Sequence, residues 1–200
     1  MGEPPGSVFV QRSVANMVVN TDNNLLSALQ YAIAYLKIPH IIVCGHYECG
    51  GVRASVTRFN HMPPLENWLR NIRDVYRLHR KELDAIKDPE KRHRRLVELN
   101  VVEQCLNVYK TGVVQRRRME TKNEPPYPVP QIHGVVFDPK DGILKRVPVD
   151  FEQLSDSLDG IYELYEPYKE ATADISPTTQ PKMVLEVDEE WPTLAKEPVA

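Results

Sequence analysis

The chain has 200 residues, 42% of them hydrophobic, and a formal net charge of −3 that gives no overall attraction to nucleic acid or anionic membranes. A chain of this length buries most of the surface that it exposes when unfolded, so a globular domain is expected. Three cysteines cannot all pair with one another, and such sparse use favours a reduced, cytoplasmic protein over a disulfide scaffold. No apolar run approaches the ~20 residues of a membrane span.

The first elements along the chain predict a strand, a helix and a second strand. A short β-rich run at 7–11 follows a Pro-Gly pair and predicts a strand that begins at a turn. Asp22 is placed to cap a helix that continues to about Lys37, with apolar residues at helical spacing. The apolar run from His40 to Cys44 predicts a strand covered on both faces. This order forms a crossover unit, so the predicted class is α/β with a mainly parallel sheet.

The rest of the chain continues this pattern and ends in a tail. The predicted elements are helices from about Val52, after Pro64 and over 94–115, strands at 131–137 and 143–147 that form an edge hairpin, and a helix over 151–168. From residue 170 onward, prolines interrupt any regular element. We therefore expect a domain at residues 1–169 and an extended or disordered arm at 170–200.

The segment His40–Gly51 carries the most informative chemistry in the chain. His46 and Cys49 lie on a glycine-flanked turn after a predicted strand. An imidazole and a thiolate at this spacing can both reach one zinc ion, but two ligands do not complete a tetrahedral site. The other histidines are expected to be structural, with His133 bonded to backbone at the sheet edge and the remainder at the surface. Cys105, in a predicted helix, is expected to be a small core residue.

Six blocks in chain order resemble the β-class carbonic anhydrases. They are Gly6–Asn16, Ala28–Ala32, Ile41–Val52, Asn67–Asp74, Glu98–Gln104 and Ile132–Asp138. The resemblance implies a four-stranded parallel core with an added edge strand, flanked by helices, in dimers or larger even oligomers. It also implies a zinc ion held by two cysteines and one histidine, with His46 and Cys49 as the downstream ligands. The implied activity is the reversible hydration of carbon dioxide to bicarbonate.

The sequence departs from the family pattern before the first matching block. In the family, a Cys-x-Asp-x-Arg segment upstream of that block supplies the first cysteine ligand and an aspartate–arginine pair. No counterpart is found here, so we expect an N-terminally shortened member with unknown catalytic residues and an impaired zinc site. Cys44 lies two residues before His46, on the same side of an extended strand, and is a candidate substitute ligand. Glu48 or water is a poorer candidate.

A regulatory bicarbonate site of one subgroup is also incomplete in this sequence. Arg12 matches one of its three residues, whereas Phe137 stands where that site has a tyrosine. The upstream tryptophan of the site has no counterpart. Inhibition through this site is therefore expected to be lost.

Three interpretations of function stay open from the sequence. The first is a zinc enzyme that hydrates carbon dioxide. The second is a non-catalytic carbonic anhydrase-like subunit that dimerises with complete relatives and modulates them, which the substitutions Ser13, Glu48 and Phe137 favour. The third is a metal-free structural or binding protein that uses the basic runs 91–95 and 116–118. These runs lie among acidic residues and are expected to be solvated faces, so no nucleic-acid partner is expected.

Overall fold

Helices and a small mixed sheet alternate along the chain in a computed structural model, which describes residues 3–124, 127–158 and 161–162, apart from the side chain of Ser155. In chain order the elements are α1 (Asn23–Gln30), β1 (His40–His46), α2 (Gly50–Ser55), α3 (Leu65–Leu78), α4 (Arg80–Ala85), α5 (Pro89–Lys110), α6 (Gly112–Glu120), β2 (Gln131–Asp138), β3 (Ile143–Val147) and α7 (Phe151–Asp156). Within these ranges, no helix combines the length and the apolar character that crossing a membrane requires.

The three strands lie in the order β1-β2-β3 in the described part of the chain. β1 and β2 are parallel, with His46 opposite Phe137, and β2 and β3 form an antiparallel hairpin. Helices α2 to α6 connect the parallel pair, because parallel neighbours need a long crossover. The α/β class and the hairpin strands at 131–137 and 143–147 are thereby confirmed.

Two expectations for the N-terminal part were wrong. Residues 7–11 are irregular rather than a strand, and Val8, Phe9 and Val10 are 43–64% exposed. No described strand pairs with this segment through backbone hydrogen bonds, so the segment is not a strand despite its β-rich composition. β1 is not covered on both faces, because Ile42 is 54% exposed whereas Val43 is buried. Burial alternates along β1, so the face that carries Val43 is buried and the face that carries Ile42 is exposed.

The helices begin where the sequence places capping residues. The Asp22 carboxylate accepts hydrogen bonds from the backbone of the first turn of α1 at 3.1 and 3.2 Å, as predicted. The helix continues through a π-helical turn at Tyr31–Tyr35 and ends before Pro39. The helix predicted over 94–115 begins earlier, because Asp88 caps α5. It is divided at Thr111, whose extended backbone separates α5 from α6.

Helix α5 holds an N-terminal segment, residues 13–18, against the sheet; we call this segment the strap. Two fully buried residues of α5 make these contacts through their side-chain amides. Asn100 Nδ2 donates to the Ala15 carbonyl at 2.9 Å, and the Val18 amide donates to Gln104 Oε1 at 2.8 Å. Ala15 has a left-handed backbone with φ of 57°, which is uncommon for a residue with a side chain. These hydrogen bonds hold that conformation in place.

Some side-chain expectations were wrong and others were confirmed. His93 was expected at the surface but is buried in α5, and Nε2 of His133 contacts Nδ1 of His40 at 3.1 Å rather than backbone. Arg118 of the basic run 116–118 is buried and donates to two backbone carbonyls of 128–130, so it is not on a solvated face. Cys105 is fully buried, as expected of a core residue.

The C-terminal expectations are only partly covered by the described residues. Helix α7 begins at Phe151, as predicted, and its described helical residues end at Asp156. Residues 163–168 of the predicted helix and the arm at 170–200 lie outside the described residues. The division into 1–169 and 170–200 stays a prediction.

Candidate active site at the carboxyl end of the sheet

A tight turn connects β1 to α2 and carries both predicted metal ligands. His46 ends β1, and Cys49 directly precedes α2. The Tyr47 amide donates to the Phe137 carbonyl at 2.9 Å, so the turn is bonded to the end of β2. Glu48 adopts φ of 59°, a left-handed conformation that costs roughly 1–2 kcal/mol for a residue with a Cβ. A glycine would adopt this backbone conformation without that cost.

The His46 side chain has a defined hydrogen-bonding state. Its Nδ1 lies 2.8 Å from the Tyr47 carbonyl oxygen. A carbonyl can only accept, so Nδ1 carries the proton of this bond, and in the neutral imidazole Nε2 then presents a lone pair. A histidine that ligates a metal commonly has this arrangement, with its other ring nitrogen bonded to a carbonyl. The His46 imidazole is thus prepared to bind a metal through Nε2.

The cysteines differ in their surroundings. Cys49 is 5% exposed at the start of α2, whereas Cys44 is exposed on the same face of β1 as His46. Among the residues that the structure describes, no group of three His, Cys, Asp or Glu side chains is placed to hold a metal ion. An imidazole nitrogen and a thiolate are donors that zinc prefers, so the chemistry of His46 and Cys49 fits zinc. Their assignment as ligands, and that of Cys44, stays a prediction.

The other residues that the sequence singled out surround this turn. The Glu48 carboxylate lies 3.3 Å from Arg53 and 3.4 Å from Lys140, so both of its oxygens have cationic partners. Phe137 is 38% exposed and lies opposite His46 in the strand register. Arg12 is exposed in the irregular segment before the strap.

Tyr47 is a site residue that the sequence interpretation missed. The residue is 5% exposed, the Arg94 guanidinium carbon lies 3.5 Å from the ring centroid, and the Tyr47 hydroxyl donates to Glu98 Oε1 at 2.6 Å. Burial, followed by the hydrogen bond to Glu98, raises the pKa of Tyr47 to about 12, so the hydroxyl keeps its proton at neutral pH. A signal was present, because Arg94 and Glu98 are four residues apart and share one helical face.

Asp138 closes this cluster at the end of β2. Its Oδ2 accepts from Arg94 Nη2 and from Lys145 Nζ, each at 2.8 Å, and its Oδ1 accepts from the Lys140 amide at 3.1 Å. These donors, the Arg94 guanidinium first, hold the pKa of the Asp138 carboxyl well below its usual range. The ionised carboxylate therefore fixes Arg94 beneath the Tyr47 ring.

We expect Asp138→Asn to reduce stability in a pH-dependent way. The folded-state pKa is depressed, so the stabilisation is complete above the unfolded pKa of about 3.9 and is lost as the pH falls through the folded value. Urea unfolding should show the largest difference between the parent and Asp138→Asn near pH 7 and a shrinking difference below about pH 5. Asp74→Asn, which affects an exposed ion pair with Arg77, is the control and should show little difference. A difference in the free energy of unfolding that grew as the pH fell would contradict a stabilising role for the ionised Asp138 carboxylate.

The strap contacts both ends of the ligand turn where glycines allow close approach. A Cβ at Gly45 would lie 2.6 Å from Val101 Cγ2 and 3.2 Å from Asn16 Oδ1. A Cβ at Gly51 would lie 3.0 Å from Val14 Cγ1. The strap and α5 therefore leave no room for a side chain at Gly45 and only little at Gly51.

The fold is shared with a solved group of enzymes. A tetrameric β-carbonic anhydrase from Sordaria macrospora matches with a TM-score of 0.65 and 35% sequence identity, over 73% of this chain and 71% of that chain. The fold around the site is therefore that of the β-carbonic anhydrases.

Sequence comparison agrees with the fold. A family model described as carbonic anhydrase matches residues 1–144. A carbonic anhydrase of Emericella nidulans is 49% identical over 164 residues, which span 82% of this chain and 69% of that protein. The match to a carbonic anhydrase of Candida albicans, at 30% identity, spans 76% of this chain and about half (52%) of that protein. The chain belongs to the carbonic anhydrase family, in its β class, whose members are lyases.

Proposed function

We propose that this protein catalyses the zinc-dependent, reversible hydration of carbon dioxide to bicarbonate. The observation that carries the proposal is the β1–α2 turn, where His46 presents a free Nε2 next to the buried Cys49. The identity to the Emericella nidulans carbonic anhydrase supports it. His46 and Cys49 would hold the metal. When bound, zinc supplies an electrophilic centre that makes water acidic enough to react near neutral pH.

The protein's own groups have defined roles around this centre. The Tyr47 carbonyl keeps the proton of His46 on Nδ1, so that Nε2 can bind the metal. Arg53 and Lys140 neutralise the Glu48 carboxylate beside the ligands, which reduces its tendency to compete for the metal. Phe137 supplies a partly exposed apolar surface opposite His46, where a small apolar molecule such as carbon dioxide can approach.

The wider setting follows from the relatives. Tetrameric β-carbonic anhydrases from Sordaria macrospora support an even oligomer, with a homodimer as its smallest form. The sparse use of cysteine supports a cytoplasmic location. In this function the protein takes up carbon dioxide and water and releases bicarbonate and a proton, with zinc as the cofactor.

A second candidate is a non-catalytic subunit that associates with complete relatives. The observation that favours it is that the described residues include no three-ligand group. Two protein ligands hold zinc more weakly than three, so a chain that relies on His46 and Cys49 alone would be impaired in catalysis. This subunit would affect catalysis only through its partner.

Zinc content per chain and stopped-flow hydration of carbon dioxide separate the two candidates. The parent and Cys44→Ser are loaded with zinc, desalted and assayed for both quantities. Near-unit zinc with measurable hydration supports the enzyme, and a fall of zinc in Cys44→Ser makes Cys44 a third ligand. Near-zero zinc and no hydration in the folded parent contradict the enzyme. A change in the activity of a complete relative on mixing would then support the subunit.

A further inference from the structure

Tyr47 lies between the two predicted ligands in the sequence, and its ring, hydroxyl, amide and carbonyl each make a contact. The Arg94 guanidinium covers its ring at 3.5 Å, and its hydroxyl donates to Glu98 at 2.6 Å. Its amide donates to the Phe137 carbonyl at 2.9 Å. Its own carbonyl accepts the Nδ1 proton of His46 at 2.8 Å. The position of the Tyr47 carbonyl therefore restricts the orientation of the His46 imidazole.

The groups that hold the Tyr47 ring are themselves fixed. Arg94 donates to Asp138 at 2.8 Å, and Glu98 accepts a hydrogen bond from Arg95 at 2.9 Å. Arg94 and Glu98 lie one helical turn apart on α5, which is the most extensively buried helix among the described residues. A rigid helix thus holds the tyrosine from one side, and the sheet holds it from the other. We call Tyr47, Arg94 and Glu98 the tyrosine clamp.

We propose that Tyr47, gripped by Arg94 and Glu98, is a positioning residue that keeps the His46 imidazole in the Nδ1–H tautomer and aims Nε2 at a bound metal. Because Arg94 and Glu98 belong to α5, the packing of α5 fixes the Tyr47 side chain, and the Tyr47 carbonyl in turn orients His46. Orienting groups of this kind typically change metal affinity by about 10–100-fold when they are removed. The metal half of this inference rests on the proposed function, whereas the tautomer half does not.

A buried aromatic ring also stabilises a fold simply by packing, so stability alone is no test. Packing predicts that removing the ring lowers the melting temperature and leaves His46 unchanged. The clamp predicts a change in the imidazole itself. The deciding measurement therefore observes His46 directly, in protein that contains no metal.

Long-range ¹H–¹⁵N spectra of the metal-free chain report the tautomer of each histidine. In the parent, His46 is expected in the Nδ1–H form. Tyr47→Leu, which removes the ring and hydroxyl, should shift His46 toward the Nε2–H form, and Tyr47→Phe should shift it less because the ring stays under Arg94. Tyr76→Phe removes a similar tyrosine–carboxylate bond, 2.6 Å to Asp84, far along the chain, and should leave His46 unchanged. Leu96→Ala, a buried residue of α5, should lower stability without moving the tautomer.

Zinc affinity, measured by competition with a chromophoric chelator, is the second measurement. We expect Tyr47→Leu to bind zinc about 10-fold more weakly than the parent. Glu98→Gln retains an acceptor for the Tyr47 hydroxyl and should bind close to the parent, whereas Glu98→Ala should bind more weakly. Folded Tyr47→Leu and Tyr47→Phe proteins that keep the Nδ1–H form of His46 overturn the clamp. A parent that shows the expected tautomers but binds no zinc overturns the proposed function instead.

Discussion

Replacing Cys49 with serine is expected to lower the zinc affinity of the chain by about two to three orders of magnitude. Zinc sites with four protein ligands bind with about 10–16 kcal/mol, so an equal share for each ligand is about 2.5–4 kcal/mol. A serine hydroxyl does not replace a thiolate, because zinc prefers sulfur and imidazole nitrogen in such sites. His46→Ala should have an effect of similar size, since it removes the Nε2 that the structure prepares for the metal. Chelator competition measures both variants.

Cys105→Ala is the matched control for this prediction. Cys105 is fully buried in α5, and burial raises the pKa of its thiol to about 12, so it is a packed thiol rather than a ligand. Its replacement should leave zinc affinity unchanged while lowering the melting temperature slightly. Equal zinc affinities for the parent and Cys49→Ser would contradict the assignment of the β1–α2 turn as the metal site.

Gly45→Ala is expected to destabilise the protein by about 1–3 kcal/mol, the usual cost of forcing a methyl group into a packed core. The new Cβ would lie 2.6 Å from Val101 Cγ2, and Val101 is fully buried in α5. Relief requires α5 and the end of β1 to move apart. His46 ends β1, so zinc affinity should fall together with stability. Urea unfolding of the metal-free protein and chelator competition measure the two effects.

Gly112→Ala provides the comparison for Gly45→Ala. Gly112 begins α6, and a Cβ there would meet no heavy atom within 4 Å. Alanine is favoured over glycine in a helix, so stability should stay the same or rise by up to about 1 kcal/mol. If Gly45→Ala were as stable as Gly112→Ala, the close approach of β1, α5 and the strap would be wrong.

Local sequence signals predicted the elements that short-range physics controls. Asp22 before an amphipathic run predicted the start of α1, because the capping interaction involves only neighbouring residues. The hairpin of β2 and β3 followed from two apolar runs around a turn. Expectations failed where a distant partner decided the outcome. The β-rich run at 7–11 forms no strand because a strand needs a neighbour. One face of β1 is exposed because α5 and the strap pack on the opposite face, which carries Val43 and Gly45.

By itself, the sequence determined the α/β class, the family and the turn that carries His46 and Cys49, because blocks and spacings are properties of the chain order. Only the tertiary structure decided what surrounds that turn. Tyr47 and Glu98 are 51 residues apart and meet because α5 packs on the sheet. Arg94 and Asp138 are 44 residues apart and pair for the same reason. The orientation of the His46 imidazole depends on these long-range contacts, and no local pattern encodes them.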